Sequence, residues 1–220
     1  MIVLEHKQGS EAWRAARLGI PTASQFDRIY TPSTRKPSTQ QAGYIHELLA
    51  ETMTGIPHDA GSNSFMDRGR QLEPEARTWY AFEHGVEVRE VGLVLRDDRM
   101  TACSPDGLIG EDRGLEVKCY GAANHVRCLL DGLSGHWCQI QGSLWITERE
   151  HWDLLAYHPE MPSIVTPVGR DEKFIDGLAA EVNAFIEKLL AARDVLLARG
   201  CTPRSLMLTS AMVGANHEPF

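Results

Sequence analysis

Ser104-Pro105-Asp106-Gly107-Leu108-Ile109-Gly110-Glu111-Asp112-Arg113-Gly114-Leu115-Glu116-Val117-Lys118-Cys119 sets two turns, a strand, the Asp106 and Glu116 carboxylates and a lysine close together in the chain. Asp106 stands between a proline and a glycine, a turn signal. Gly110 to Arg113 marks a second turn, and Gly114 to Tyr120 reads as a strand. Strand side chains alternate faces, so Glu116 and Lys118 project to one side and Val117 to the other. Two carboxylates converging with an ammonium suit a hard divalent cation and a phosphodiester. The acids take Mg2+ through oxygen, the cation lowers the pKa of a bound water, and the lysine adds positive charge. The same spacing also occurs on ordinary half-exposed strands, so the rest of the chain must weigh in.

Outward from this stretch, Val86 to Leu95 and Met100 to Ser104 read as strands before it, and Trp152 to His158 and Ile164 to Val168 as strands after it. Helices are expected over Ala122–Leu130, His136–Thr147 and Asp171–Arg199, the last with an apolar stripe of Leu178, Val182, Phe185, Ile186 and Leu189. On the N-terminal side, Ser10 is a helix N-cap, Gly19-Ile20-Pro21 breaks that helix, and a second short helix follows to Ile29. Thr31 to Pro37 reads as a mobile loop. Ser38 with Gln41 fits a capping box opening a helix that ends near Gly55. Asn63 to His84 is another helix, with Pro74 expected to kink it or restart it. The order predicts an α/β class with one mixed sheet flanked by helices and the Asp106–Lys118 hairpin at its centre. A single domain over 1–200 and an irregular tail over 201–220 complete the layout.

The 220-residue chain is 43% hydrophobic and 24% charged, ordinary for a globular protein. No apolar run reaches the roughly 18 residues that span a bilayer, and the N-terminus does not read as a signal peptide. Five cysteines without a Cys-x-x-Cys pair fit reduced thiols, and a cytoplasmic location is expected. The net charge of −8 argues against a broad nucleic-acid surface. The first 45 residues are nevertheless basic, with Lys7, Arg14, Arg17, Arg28, Arg35 and Lys36 outnumbering Glu5, Glu11 and Asp27.

Three further blocks carry chemistry. Arg17, Thr22 and Ser24 could gather around one anion, with a guanidinium fork and hydroxyls at a helix start. A plain Thr/Ser cap beside a solvated arginine explains the same residues. Glu73 could stand near the two hairpin acids, or be a first-turn acid beside Pro74. Gln139 or Gln141 could orient a water, or both could lie on a helix surface.

These blocks, in this order, resemble the phage lambda exonuclease family of viral recombination nucleases. The matching pieces are Trp13-x-x-x-Arg17-Leu18-Gly19-x-x-Thr22-Ala23-Ser24, Gly69-x-x-x-Glu73, Thr101 to Gly107, Gly114 to Lys118, Gln139-x-Gln141 and Arg170-Asp171-Glu172-Lys173. The resemblance implies a restriction-endonuclease-like PD-(D/E)xK core. It implies a Mg2+-dependent 5′→3′ exonuclease that digests one strand of duplex DNA from 5′-phosphorylated ends to mononucleotides, leaving 3′ tails for strand annealing. Asp106 and Glu116 would be metal ligands with the Val117 carbonyl, for two Mg2+ per site, with Mn2+ as a substitute. Lys118 would assist the attacking water, Gln139 would position it, and Glu73 would sit beside the metals. Arg17, Thr22 and Ser24 would hold the 5′-phosphate, with Arg35 as the loop arginine, offset by about one residue from the family's pattern. A ring-shaped homotrimer, double-stranded DNA ends and a single-strand annealing protein are the implied partners, and a phage or prophage origin the implied source. A site- or structure-specific endonuclease on the same core, and a non-catalytic DNA-end-binding scaffold, are the competing readings. An iron–sulfur nuclease is disfavoured because Cys201 stands alone at its end of the chain.

Overall fold

The computed structural model describes residues 1–58, 64–133 and 135–204. The expected helix start at Asn63 and the expected irregular tail beyond residue 204 lie outside the described residues. The strands are β1 (Ile2–Leu4), β2 (Tyr30–Thr31), β3 (Lys36–Pro37), β4 (Leu93–Leu95), β5 (Ala102–Cys103), β6 (Gly107–Ile109), β7 (Arg113–Lys118), β8 (His151–His158) and β9 (Met161–Gly169). The helices are α1 (Glu11–Arg17), α2 (Gln41–Thr54), α3 (Ser64–His84), α4 (Ala122–Asp131), α5 (Trp137–Thr147) and α6 (Glu172–Ala198). A 3-10 helix covers Ala23–Arg28.

The mixed α/β class holds, but the strands do not form one sheet. They divide into a four-stranded sheet in the order β6-β7-β8-β9, a three-stranded sheet β1-β4-β5 and the small hairpin β2-β3. Pro105 explains the break between β5 and β6: it has no N–H to continue a ladder. The expected strand from Val86 begins only after Gly92, where the chain before α1 crosses so closely that a Cβ would lie 1.8 Å from the His6 carbonyl oxygen. The Asp106–Lys118 hairpin is therefore half central: β7 is interior, parallel to β8, while β6 forms the sheet edge. Strand β9 is the opposite edge, which is why it accommodates Pro162 and Pro167.

Residues 31–37, expected as a loop, form a tight hairpin with Tyr30 opposite Pro37 and Arg35 at positive φ in its turn. The capping box at Ser38 does not close. Ser38 Oγ accepts from the Gln40 amide, and the Gln41 side chain donates to the Ile29 carbonyl and to Glu181 instead. Helix α3 runs through Pro74 as one element, without a second start.

Side-chain alternation on β7 and β8 sorts the layers. Leu115, Val117, Leu155 and Tyr157 pack with Ala76 and Tyr80 of α3 on one face. Trp152 and Leu154 pack into the larger core with Ile140 and Leu144 of α5 and Leu178, Val182 and Phe185 of α6 on the other. Glu116 and Lys118 consequently point to the α5 side.

Candidate active site

The turn before β6 fixes Asp106 from three directions. Its amide donates to the Leu115 carbonyl at 3.1 Å, and its carbonyl accepts from Arg77 Nη1 at 3.4 Å. Its Oδ2 accepts from the Val117 amide at 2.7 Å. On β7, Glu116 Oε1 accepts both from Lys118 Nζ at 2.8 Å and from Gln139 Nε2 at 2.6 Å. Lys118 Nζ also reaches Gln139 Oε1 at 3.4 Å. The first turn of α5 thus brings Gln139 onto the face that strand alternation gives to Glu116 and Lys118. Glu73, one turn before Ala76 on the sheet-facing stripe of α3, lies within electrostatic reach of both hairpin acids.

The charges strain one another. Burial and the neighbouring Glu116 and Glu73 carboxylates push Asp106 well above the usual carboxylate range, against the stabilising Val117 amide. Burial, with Glu116 adding, also raises Glu73, while Arg77 opposes. Burial pulls the Lys118 ammonium down, but Glu116 and Asp106 outweigh it, and Lys118 stands above its ordinary value.

Three crowded carboxylates and one ammonium make an acid-rich pocket that a hard cation would relieve. Among the described residues no three His, Cys, Asp or Glu side chains form a ready metal cage. The all-oxygen set of Asp106, Glu116 and the Val117 carbonyl fits Mg2+, which keeps several waters and takes only one or two carboxylates.

The N-terminal block forms a second pocket. Arg17 Nη2 lies 3.4 Å from Thr22 Oγ1, which lies 3.3 Å from Ser24 Oγ. Thr22 makes no side-chain cap to the 3-10 helix, so the simple capping reading does not describe it. Tyr44, buried and pushed up to about 12 by that burial, accepts from the Thr22 amide. Arg17 lines a cavity of about 140 Å3 together with Thr22, Arg28 and Tyr44. Burial lowers the Arg17 pKa, offset by Tyr44 and Glu51. Arg35 is placed otherwise: its guanidinium pairs with Asp171 Oδ2 at 3.3 Å and stands over the Phe174 ring.

Trp13 bridges the two pockets. The Arg17 guanidinium stacks over its ring at 4.5 Å, and its indole N–H donates to Ser104 Oγ at 3.1 Å, two residues before Asp106. Gln141, two residues further along α5, serves the frame instead. Its amide joins the Gly169 carbonyl to the Asp171 amide.

Sequence reasoning missed Arg149. Its buried Nη1 donates to the carbonyls of Ile109, Gly110 and Arg113, closing the β6–β7 turn. It also missed Tyr120 and His136, paired at 2.9 Å beside Lys118 and Gln139. Period-two alternation from Glu116 and Lys118 would have placed Tyr120 on the same face.

The sequence profile of the YqaJ-like viral recombinase domain matches residues 12–150. A solved structure of an alkaline exonuclease, LHK-Exo from Laribacter hongkongensis, is similar with a TM-score of 0.78 and 31% identity over 87% of this chain and 98% of that one. LHK-Exo in complex with dAMP is similar at the same TM-score of 0.78 with 32% identity, again over 87% and 98% of the two chains. A phage-related exonuclease from Haemophilus somnus 129PT shares the fold, with a TM-score of 0.60 at 14% identity over 82% of this chain and 96% of that one. A search of curated protein sequences finds no match. With the profile covering more than half its length and these enzymes sharing its fold, the chain belongs to the YqaJ-like, lambda-exonuclease-like family of viral recombinases and is a nuclease with a restriction-endonuclease-like core.

Proposed function

We propose that this nuclease is a Mg2+-dependent 5′→3′ exonuclease that degrades one strand of duplex DNA from 5′-phosphorylated ends, releasing mononucleotides and leaving 3′ single-stranded tails. The observation that carries the reading is Trp13, which stacks on Arg17 and hydrogen-bonds the turn bearing Asp106. An anion pocket and a hydrolytic centre coupled through one side chain suit a substrate whose terminal phosphate is gripped while the next phosphodiester is cut.

Asp106 and Glu116, with the Val117 carbonyl, would hold the cation. When bound, it polarises the scissile phosphate and lowers the pKa of the attacking water. The Lys118 ammonium, locked against Glu116, steadies that water and the charge gathering on the phosphate. Gln139 orients both, and Glu73 enlarges the acidic rim. Arg17 donates to the terminal phosphate, with the Thr22 and Ser24 hydroxyls completing its shell. The dAMP held by LHK-Exo is a mononucleotide, the product class this reading requires.

A ring-shaped trimer around the duplex would reconcile a net charge of −8 with DNA binding, since enclosure needs only a locally positive lining. A single-strand annealing protein is the matching partner for the exposed 3′ tail. Among the described residues no helix is long and apolar enough to cross a membrane.

The test is digestion of blunt duplex DNA labelled at either end, with and without 5′-phosphate and Mg2+. Mononucleotides from the 5′-ended strand alone are expected. Internal fragments would instead establish an endonuclease, and intact DNA bound equally with or without EDTA a scaffold.

A further inference from the structure

His136 occupies an unusual position. It is the N-cap of α5 with φ of 58°, a left-handed backbone in a residue other than glycine. Surrounding structure has to hold such a conformation in place. What holds it sits on the catalytic strand's own face. Tyr120, two residues beyond Lys118, meets His136 Nε2 with its hydroxyl at 2.9 Å. Gln139 stands in the first turn of the helix that His136 caps, and burial together with the Lys118 charge keeps the imidazole pKa below the ordinary histidine value.

The hydrogen-bond directions are over-determined. Lys118 has donors only, so the Gln139 oxygen must face it, and Gln139 must present its NH2 to Glu116. His136 Nε2 meets the Tyr120 hydroxyl, which pins the ring and the helix start behind it. The positioning relay then runs from Tyr120 through the turn that His136 caps to Gln139, and from its NH2 to Glu116 Oε1. Glu116 Oε2 is left for a cation. Reversing the amide would set two donors against each other at Lys118.

We propose that Tyr120 and His136 are positioning residues that lock the first turn of α5, and with it Gln139, and thereby orient the Glu116 carboxylate toward the catalytic cation. The proposal rests on the metal-dependent reading of the site above. Ligand-orienting partners of this kind typically change metal affinity or activity by about 10–100-fold when removed.

The experiment uses the full chain and reads Mn2+ affinity by calorimetry alongside kcat and KM on 5′-phosphorylated duplex. His136→Ala should weaken Mn2+ binding by about tenfold and lower kcat, with KM nearly unchanged. Tyr120→Phe, which removes only a hydroxyl, should do the same to a smaller degree. His136→Gln, which keeps a donor and an acceptor, should recover most of the loss. The decisive comparison is with Gln139→Ala: in that background His136→Ala should cost nothing more. Additive losses, or a His136→Ala protein that binds Mn2+ like the parent, would overturn the relay. Should His136→Ala unfold, Tyr120→Phe in both Gln139 backgrounds makes the same comparison. A parent protein that neither binds Mn2+ nor cleaves DNA would remove the metal-dependent reading itself, and the relay with it. A parent that cleaves while the cycle is additive removes only the relay.

Discussion

The Val117 amide donates to Asp106 Oδ2 at 2.7 Å, joining the turn before β6 to the middle of β7 across eleven residues of sequence. One carboxylate oxygen is thus committed to the backbone, and the other is the one the proposed cation would take. Asp106→Asn keeps an oxygen acceptor in this geometry, so the hairpin should stay folded. Cleavage should fall by more than the roughly 100-fold that marks the loss of an outer partner. Because burial and the crowding Glu116 and Glu73 raise its pKa, ionised Asp106 opposes folding in the metal-free protein. Asp106→Asn should therefore melt at a higher temperature than the parent in EDTA, and added Mg2+ should stabilise the parent only. Thermal melts in EDTA and in Mg2+ check both; a parent indifferent to Mg2+ would count against the ligand assignment.

Arg17 tests end recognition apart from chemistry. Its guanidinium has the Trp13 ring beneath it and Thr22 beside it, with burial lowering its pKa. A charge-assisted hydrogen bond contributes about 1.5–3 kcal/mol, or roughly 10- to 150-fold in preference. Arg17→Ala should reduce the rate on 5′-phosphorylated ends by that order while leaving 5′-hydroxyl ends nearly untouched. Competition between the two substrates in one tube measures the ratio. Equal loss on both would point to a frame role for the arginine.

The hairpin and the Arg17 block were legible because each depends on local spacing or strand alternation, whereas the approach of Gln139 to Glu116 joins positions 23 apart and was expected only from the family resemblance. Glu116 and Lys118 share a face by period two, and Arg17, Thr22 and Ser24 are near neighbours in the chain. The division of the sheets was not legible, since it depends on long-range pairings such as β1 with β4, which no local spacing records. Nor was the role of Arg149, whose three acceptors lie about 36 to 40 positions away and are backbone carbonyls that carry no residue-type signal. Arg35 had a composition that suited a loop, but the pairing of Tyr30 with Pro37 closes that segment into a hairpin and turns Arg35 toward Asp171.

Arg149 should be a stability residue of the catalytic turn. It is 6% exposed, and its removal strips one donor from three carbonyls at 2.8 to 3.2 Å. Leaving buried acceptors unsatisfied costs about 1–3 kcal/mol each in the worst case. Arg149→Met, which keeps the stem, should lose roughly 3 kcal/mol, within the range for breaking a buried polar network. Urea unfolding is the measurement. An unchanged midpoint would mean that the turn closes without this residue.

Gly114 lies on β7 two residues before Glu116, where the catalytic strand passes beneath Trp152. A Cβ there would stand 2.3 to 2.5 Å from three atoms of that indole ring. Trp152 is fully buried in the main core between the sheet and helices α5 and α6, so the ring has no solvent to move into. Inserting even a methyl group into such packing usually costs about 1–3 kcal/mol. The strand can give way only by bowing, and bowing would move Glu116 and Lys118 away from Gln139. Gly114→Ala should thus lower both the urea midpoint and, in the remaining folded protein, the turnover number, whereas Gly110→Ala has open space around its Cβ and only its φ of 50° to oppose it. Comparing the two variants at equal folded fraction separates loss of packing from strain in the turn. Normal turnover in folded Gly114→Ala would show that the strand tolerates the shift without moving its catalytic face.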